Sequence, residues 1–474
     1  MSETIRADLC VIGGGSGGLT VAAGAAQMGA TVVLIERDRM GGDCLNTGCV
    51  PSKSLLAAAD AAHVMRSSGN FGIRPVEPDV DFAAVHRHVH DVIESIAPHD
   101  SVERFEGLGV RVLLAEAHFV RADTLVADGK VIKAKRFVIA TGSRPAIPPI
   151  PGLDTVPYLT NETIFDLAEL PSHLVVIGGG PIGCELAQAY RRLGSAVTII
   201  ELDRILPKDD PELADVVRRA LIREGIEIRE MARPNRVERA DDGITIHADL
   251  APGTERFSAS HLLVATGRRP TTESLDLEKA HVDFTPKGVT VDRRLRTTNK
   301  RIFAIGDVIG DLQFTHMAGY HGGIVVRNAV FKLRAKASKR AAPWVTYTDP
   351  ELAHVGLTEQ DAKAKNLTPT VLKSSFAAND RARAERRDEG FIKVLVGQRG
   401  RILGVSIVGR HAGELILPWV LAMNENLPIR AMASVIAPYP TLSEISKAIA
   451  GSYYTPSLYS GGTRRVVRLL QKLG

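Results

Sequence analysis

The sequence predicts an α/β protein in which two βαβ units precede a C-terminal α+β domain. Three observations carry this. Residues 7–36 and 173–201 each run strand, G-x-G-x-x-G, helix, strand and acid, the order of a Rossmann-type dinucleotide-binding unit. Two later stretches, FVIATGSRP and HLLVATGRRP, echo one another, each a strand running into ATG and a basic residue, as an internal duplication would leave them. From residue 344 onward the glycine-rich loops stop, and strand-like runs (FIKVLVG, RILGVSIVG) give way to helix-like ones (AGELILPWVLAM, PIRAMASVI).

Composition narrows the class. A chain of 474 residues suggests about three domains. With 45% hydrophobic and 24% charged residues it reads as soluble and globular, and 43 glycines with few aromatics favour α/β layers over an all-β sandwich. The net charge of +5 is small and both signs are interspersed, which argues against a nucleic-acid partner. Four cysteines do not make a disulfide scaffold. The opening MSETIRADLC has no basic-then-apolar leader pattern and no apolar run is long enough to span a bilayer, so the expectation is a cytoplasmic protein with no membrane partner. There, a bonded cysteine pair is more often catalytic than structural.

In the first unit, the strand ADLCVI leads into Gly13, Gly15 and Gly18 and a helix through LTVAAGAAQMG; TVVLIE then ends at Glu36. Gly13 permits the turn, Gly15 lets a pyrophosphate approach the backbone and Gly18 lets helix and strand pack closely. The phosphates belong at the helix N-terminus, and Glu36 is placed to accept from ribose hydroxyls. Cys10 lies in the strand as a core residue.

Next comes GGDCLNTGCVPSK, residues 41–53, around which the rest of the chain is organised. On a regular helix the Cys44–Cys49 offset separates the Cα atoms by roughly 8–9 Å, whereas a disulfide needs about 7 Å or less. Two readings stand: a pair of buried free thiols near a helix start, or a redox-active dithiol in a distorted turn. Gly41, Gly42 and Gly48 supply freedom for the distortion, and Pro51 suits the first turn of the helix that continues to about Met65. These flanks favour the dithiol.

Residues 80–105 read as helical and carry His86, His88, His90 and His99. His86 and His90 could share a face as metal ligands, but nothing nearby completes a site, and a solvated or partly packed face is the plainer reading; no metal is expected. The β-like runs VRVLLAEAHFV and TLVADGKVIKAK follow, then Pro- and Gly-rich punctuation that marks a boundary near Gly152.

The second unit starts at His173, with Gly178, Gly180 and Gly183 before the helix and Glu201 closing AVTIIE. Two units imply two nucleotide cofactors, or a duplication with one site idle. A carboxylate at Glu201 bonds a ribose 2′-hydroxyl and repels a 2′-phosphate, favouring NAD(H) over NADP(H), with Arg204 close enough in sequence to soften the preference. Cys184 is a packing residue. Gly142 and Gly267, the ATG glycines, count with the cofactor-binding residues. Asp307, in RIFAIGDVIG, either bonds a polyol or ends a turn.

With both fingerprints, the Cys44/Cys49 segment and the Gly-Asp turn in this order, the sequence resembles the flavoprotein disulfide reductases, which include dihydrolipoamide dehydrogenase, glutathione reductase and mercuric reductase. The resemblance covers nearly the whole chain. It implies FAD bound by residues 1–152 and 271–343, NAD(H) bound by 153–270, and a dimerisation domain at 344–474 that builds a homodimer. It also implies that a segment from Thr297 or Thr298 to Asp307 meets the flavin ribityl chain, and that Lys53 lies by the flavin paired with Glu185. Electrons then pass from nicotinamide through flavin to a Cys44–Cys49 disulfide, with Cys49 the flavin-side thiolate and Cys44 the thiol that meets a small disulfide or dithiol acceptor.

One departure bears on the acceptor. Where disulfide-reducing members carry a catalytic histidine in HPTxxE, this chain has PYPTLSE, with Tyr439 in the histidine's place and Glu444 kept. An unperturbed tyrosine, with a pKa of about 10, is a poor base at neutral pH. The tyrosine is similar to mercuric reductase, yet the sequence ends RRVVRLLQKLG without that enzyme's terminal cysteine pair, and its N-terminal metal-binding domain is not seen. The resemblance therefore implies a dihydrolipoamide-dehydrogenase-like oxidoreductase, with metal-ion reduction by the same dithiol as the alternative and a flavin-based redox sensor with little turnover as the third.

Overall fold

The computed structural model describes residues 3–251 and 253–473. They divide into two compact units, one within Met1–Leu202 and Glu227–Ser338, the other within Asp203–Ile226 and Lys339–Gly474.

In the first unit, five parallel strands lie side by side in the order Val110–Leu114, Val32–Glu36, Thr4–Ile12, Lys130–Ile139 and Ile302–Ala304. Lys130–Ile139 is long enough to serve two partners. Its second half pairs with Ile302–Ala304, and its first half pairs antiparallel with Thr124–Ala127, which continues to Ala117–Arg121. Successive residues of a strand point to opposite faces. Cys10, Ile12, Val33 and Ile35 accordingly enter one core with Phe119 and Phe137, while Leu9, Val11, Val32 and Leu34 enter another with Ala22, Ala25, Ile324 and Val325. Both faces are covered, which is why these strands read as continuous apolar runs. Cys10 and Cys184 are buried and in no disulfide.

The same unit holds a second parallel sheet, in the order Glu227–Arg229, Ala196–Ile200, His173–Ile177 and His261–Val264. The two ATG turns meet: Ser143–Pro145 pairs antiparallel with Arg268–Pro270.

The second unit is a five-stranded antiparallel sheet in the order Pro343–Thr346, Glu351–Gly356, Ile402–Gly409, Phe391–Val396 and Thr370–Ser375. The helix Pro211–Arg223 belongs to it because buried polar contacts fasten that segment there. Lys393, almost wholly buried, places its Nζ 2.7 Å from the Asp210 carboxylate and 2.6 Å from Glu359, and the Trp344 indole donates to Asp209 at 2.7 Å. No helix among the described residues is long and apolar enough to cross a membrane.

Candidate functional site

The segment Gly41–Lys53 is not one helix. A short helix, Gly42–Asn46, stops at Thr47, and a second, Cys49–Ser67, starts after Gly48, whose backbone (φ −130°, ψ −115°) is far from helical. Gly41 enters at φ +88°, where a Cβ would stand 2.4 Å from a Leu45 methyl. This break takes the segment off the regular-helix path: Cys44 and Cys49, neither in a disulfide, lie close enough for each to shift the other's ionisation.

The pair is electrically unequal. The Cys44 thiol donates to Cys49, which holds the Cys49 pKa down at about 6 and pushes that of Cys44 well above the thiol range. The Thr315 hydroxyl, 3.3 Å from the Cys49 sulfur, and the Lys53 charge act in the same direction on Cys49; burial and Asp43 oppose them. Cys49 nonetheless remains open to solvent on one side. Thr315 opens the helix Thr315–Ala329. The Lys53 ammonium lies 2.7 Å from the carboxylate of Glu185, a buried residue of the helix Pro181–Leu193, so the structure brings Cys44, Cys49, Lys53 and Glu185 together.

A polar network holds the rim of this segment. The Arg268 guanidinium donates to the Ser143 hydroxyl at 2.7 Å and to the Asn161 side-chain oxygen at 3.2 Å, and lies 3.2 Å from the Asp43 carboxylate. Asn161 donates to Asp43 and to the Thr47 carbonyl, both at 3.1 Å. Ser143 in turn donates to Asp307 at 2.6 Å, and Arg268 lies 3.9 Å from that carboxylate, whose pKa burial raises. Asp307 itself sits in a tight turn entered by Gly306 at φ +70°. Thr297 and Thr298 donate to the Asn299 and His281 carbonyls, each at 2.9 Å.

The two glycine motifs repeat one geometry. Gly13 and Gly178 have φ of +109° and +112°, and a Cβ on Gly18 or Gly183 would sit 1.9 Å from the Gly13 or Gly178 carbonyl oxygen. Gly15 and Gly180 face open space instead: a Cβ on Gly15 meets only Gly42 Cα at 3.8 Å, and one on Gly180 meets nothing within 4 Å. Each caps its helix without a side-chain partner for the first N–H groups, which leaves a cradle for an anion. Glu36 accepts from Gly14 N at 2.6 Å and from Asp38 N at 2.8 Å; Glu201 accepts from Gly179 N at 2.5 Å. Both acids therefore stand beside their glycine loops. Gly142 and Gly267 have nothing within 4 Å of a built Cβ.

Tyr439 and Glu444 belong to the second unit. The Tyr439 hydroxyl, on a side chain 71% exposed, donates to Asp380 at 3.1 Å, and that hydrogen bond raises its pKa further from neutrality. Glu444 begins the helix Glu444–Ser452 and accepts from Thr441 N at 3.4 Å. The His86 and His90 rings lie 4.2 Å apart and His90 bonds the Phe165 carbonyl; among the described residues no group of three ligating side chains forms.

Comparison with known proteins decides the family. The model for pyridine nucleotide-disulphide oxidoreductases matches residues 7–322, and that for their dimerisation domain matches 342–449. This chain belongs to the pyridine nucleotide-disulphide oxidoreductase family. It is 36% identical over 440 residues to a mercuric reductase of Bacillus cereus, covering 92% of this chain and 70% of the relative. To a dihydrolipoyl dehydrogenase of Bacillus subtilis it is 35% identical over 447 residues, covering 92% and 96%. Among solved structures it matches the HOCl-induced flavoprotein disulfide reductase RclA of Escherichia coli in its Cu(II) complex, with a TM-score of 0.84 and 29% identity, covering 94% of this chain and 99% of that one. LpdA of Mycobacterium tuberculosis gives a TM-score of 0.87 at 27% identity, with the same coverage. The fold has FAD and NAD domains and a C-terminal dimerisation domain. The family is one of FAD-dependent, NAD(P)-using disulfide oxidoreductases, so FAD and a nicotinamide nucleotide are the cofactors. The two anion cradles fit two dinucleotides.

Sequence reasoning missed Thr315 and the roles of Asp43, Asn161, Ser143 and Arg268. The only signal was the basic residue following each ATG.

Proposed function

We propose that this protein moves two electrons between NAD(H) and a small dithiol or disulfide acceptor through Cys44 and Cys49. The observation that carries it is the pair of unbonded cysteines on either side of the helix break at Gly48, with Thr315 3.3 Å from the Cys49 sulfur and the Lys53–Glu185 pair beside it. Gly13, Gly15 and Gly18 with Glu36 and Asp307 would hold FAD, which when bound supplies the two-electron relay between nicotinamide and the cysteines. Gly178, Gly180, Gly183 and Glu201 would hold NAD(H), with Gly142 and Gly267 leaving room at the two turns.

In the reducing direction Cys44 gives up its proton and attacks one sulfur of the acceptor disulfide, expelling the other as a thiolate that takes a proton. Cys49, already a thiolate, attacks the Cys44 sulfur and expels the second thiol. The product is the Cys44–Cys49 disulfide, and hydride-derived electrons from NADH return it to the dithiol. In sum, NADH, a proton and a disulfide become NAD⁺ and two thiols. Thr315 and Lys53 stabilise the Cys49 thiolate; Glu185 positions Lys53. The proton that needs a base is therefore the one on Cys44.

We further infer a homodimer in which Tyr439 and Glu444 complete the partner's site. The matched dimerisation domain supports it, as does the exposure of Leu417, Leu421, Val435 and Ile436. Metal-ion reduction is the second reading, favoured by Tyr439 where disulfide reductases carry histidine and by the likeness to mercuric reductases. The test is an acceptor panel with NADH: lipoamide, glutathione disulfide, an aromatic disulfide, mercuric ion, quinone and oxygen. Turnover with a disulfide that disappears in both Cys44→Ser and Cys49→Ser is the expected result. Turnover with mercuric ion alone moves the conclusion to the second reading, and none with any acceptor leaves only a redox sensor.

A further inference from the structure

The helix Gly461–Leu470 buries none of its side chains. A helix of ten residues is marginal in water by itself and needs a surface for its apolar side. At 100° per residue, Val466, Val467, Leu469 and Leu470 fall within an arc of about 160°, and Arg464, Arg465 and Arg468 fill about 100° on the opposite side, with Lys472 and Leu473 just past the helix end. All five apolar side chains are 44–78% exposed, and so are Leu458 and Tyr459 just before the helix. No Asp or Glu follows Glu444 in the sequence, whereas Lys447 and these four cations do.

We propose that this helix docks the protein on an anionic lipid surface, its leucines and valines sunk at the headgroup boundary and its cations among the lipid phosphates. Charge decides between this and a second copy of the chain as occupant. A second copy would cover the apolar side and leave the cations to solvent, while an anionic bilayer takes up the apolar side and the cations together. At about 1.5 Å per residue the helix is roughly 15 Å long, half of what spanning requires, so it lies on the surface and does not cross. The inference rests on neither the electron acceptor nor the choice of nucleotide.

The test is co-sedimentation of the full-length holoenzyme with phosphatidylcholine vesicles with and without phosphatidylglycerol, at low and high salt, alongside sedimentation velocity without lipid. The expected result is binding to the anionic vesicles only, weakened by salt. Leu470→Glu should abolish it with NADH turnover and assembly state unchanged. The paired change Arg464→Ala, Arg465→Ala, which leaves the apolar side intact, should weaken partitioning roughly 10- to 30-fold. Absence of wild-type binding, or binding that survives both variants, overturns the proposal. So does a Leu470→Glu protein that loses its partner subunit, since the helix would then be covered by a second copy.

Discussion

The sulfur of Cys49 lies 3.3 Å from the hydroxyl oxygen of Thr315, a residue 266 positions further along the chain. With Cys49 ionised, the hydroxyl is the donor. Its contribution is separable from that of Cys44, because Thr315 changes no sulfur chemistry. Iodoacetamide alkylation of the reduced protein, mapped by mass spectrometry, should show Cys49 reacting from near pH 6 upward, well below the ~8.5 of an ordinary thiol. Below that value the thiolate is protonated and reactivity falls. Thr315→Val removes a hydrogen bond to a charged sulfur, worth roughly 1.5–3 kcal/mol at most, so the onset should move up and the rate at pH 6 should drop by about tenfold. An unchanged profile would mean that Thr315 only fills space.

Lys53 and Glu185 form a lopsided pair. The carboxylate side chain is 6% exposed and the ammonium 38%, at 2.7 Å. Lys53→Met takes the ammonium away from a buried carboxylate, and the loss should be about 1–3 kcal/mol, less than for a fully buried pair because water already reaches the lysine. The same change withdraws positive charge from Cys49 and should raise the pH at which it alkylates. Lys53→Met, Glu185→Gln together should recover much of the stability by chemical denaturation but none of the Cys49 acidity. If the double variant restores both, the lysine does not act on the sulfur.

These two relationships mark where the sequence was legible and where it was not. The paired cradles follow from local rules: Gly13 and Gly178 need positive φ, and Gly18 and Gly183 have no room for a Cβ. A strand, those glycines and an acid at Glu36 or Glu201 can be read within thirty-odd residues. The cysteine pair was legible as a pair, and so was the need for a distorted turn, which Gly48 supplies by breaking the helix between the thiols. Thr315, and the arginine that joins Asp43, Asn161, Ser143 and Asp307, could not be read, since contacts over 39 to 266 positions obey no spacing rule. The segment Asp203–Ile226 is a similar case: it continues the second nucleotide unit in sequence, yet Asp210 binds buried Lys393 and takes it into the other compact unit.

Glu201 should set the nucleotide preference. Its carboxylate already accepts from Gly179 N beside the second cradle, where an adenosine ribose would lie. Repulsion of a 2′-phosphate and the lost ribose hydrogen bond together cost about 1–3 kcal/mol, so kcat/KM should favour NADH over NADPH by roughly 5- to 150-fold. Glu201→Ala should shrink the ratio mainly by weakening NADH. A wild-type preference for NADPH would show that Arg204 or another cation overrides the acid.

Tyr439 bears on the proton that Cys44 must lose. The strong pairing with Cys49 makes Cys44 the reluctant acid of the two, and the hydrogen bond to Asp380 makes Tyr439 a still poorer base than a free tyrosine. Disulfide reduction should then be slow at neutral pH and climb toward alkaline pH, where Cys44 loses its proton without a protein base. Tyr439→His sets an imidazole where the disulfide-reducing relatives carry theirs, with Glu444 retained behind it. Lipoamide turnover near pH 7 should rise roughly 10- to 100-fold, within the lower range of what a positioned base supplies, and the alkaline climb should flatten. Should Tyr439 instead serve the release of a thiol-bound metal ion, the same substitution lowers mercuric-ion reduction. Two acceptors measured across pH on one variant separate the cases. Rapid lipoamide reduction by the wild type at pH 7, unaltered by Tyr439→His, would place the base elsewhere.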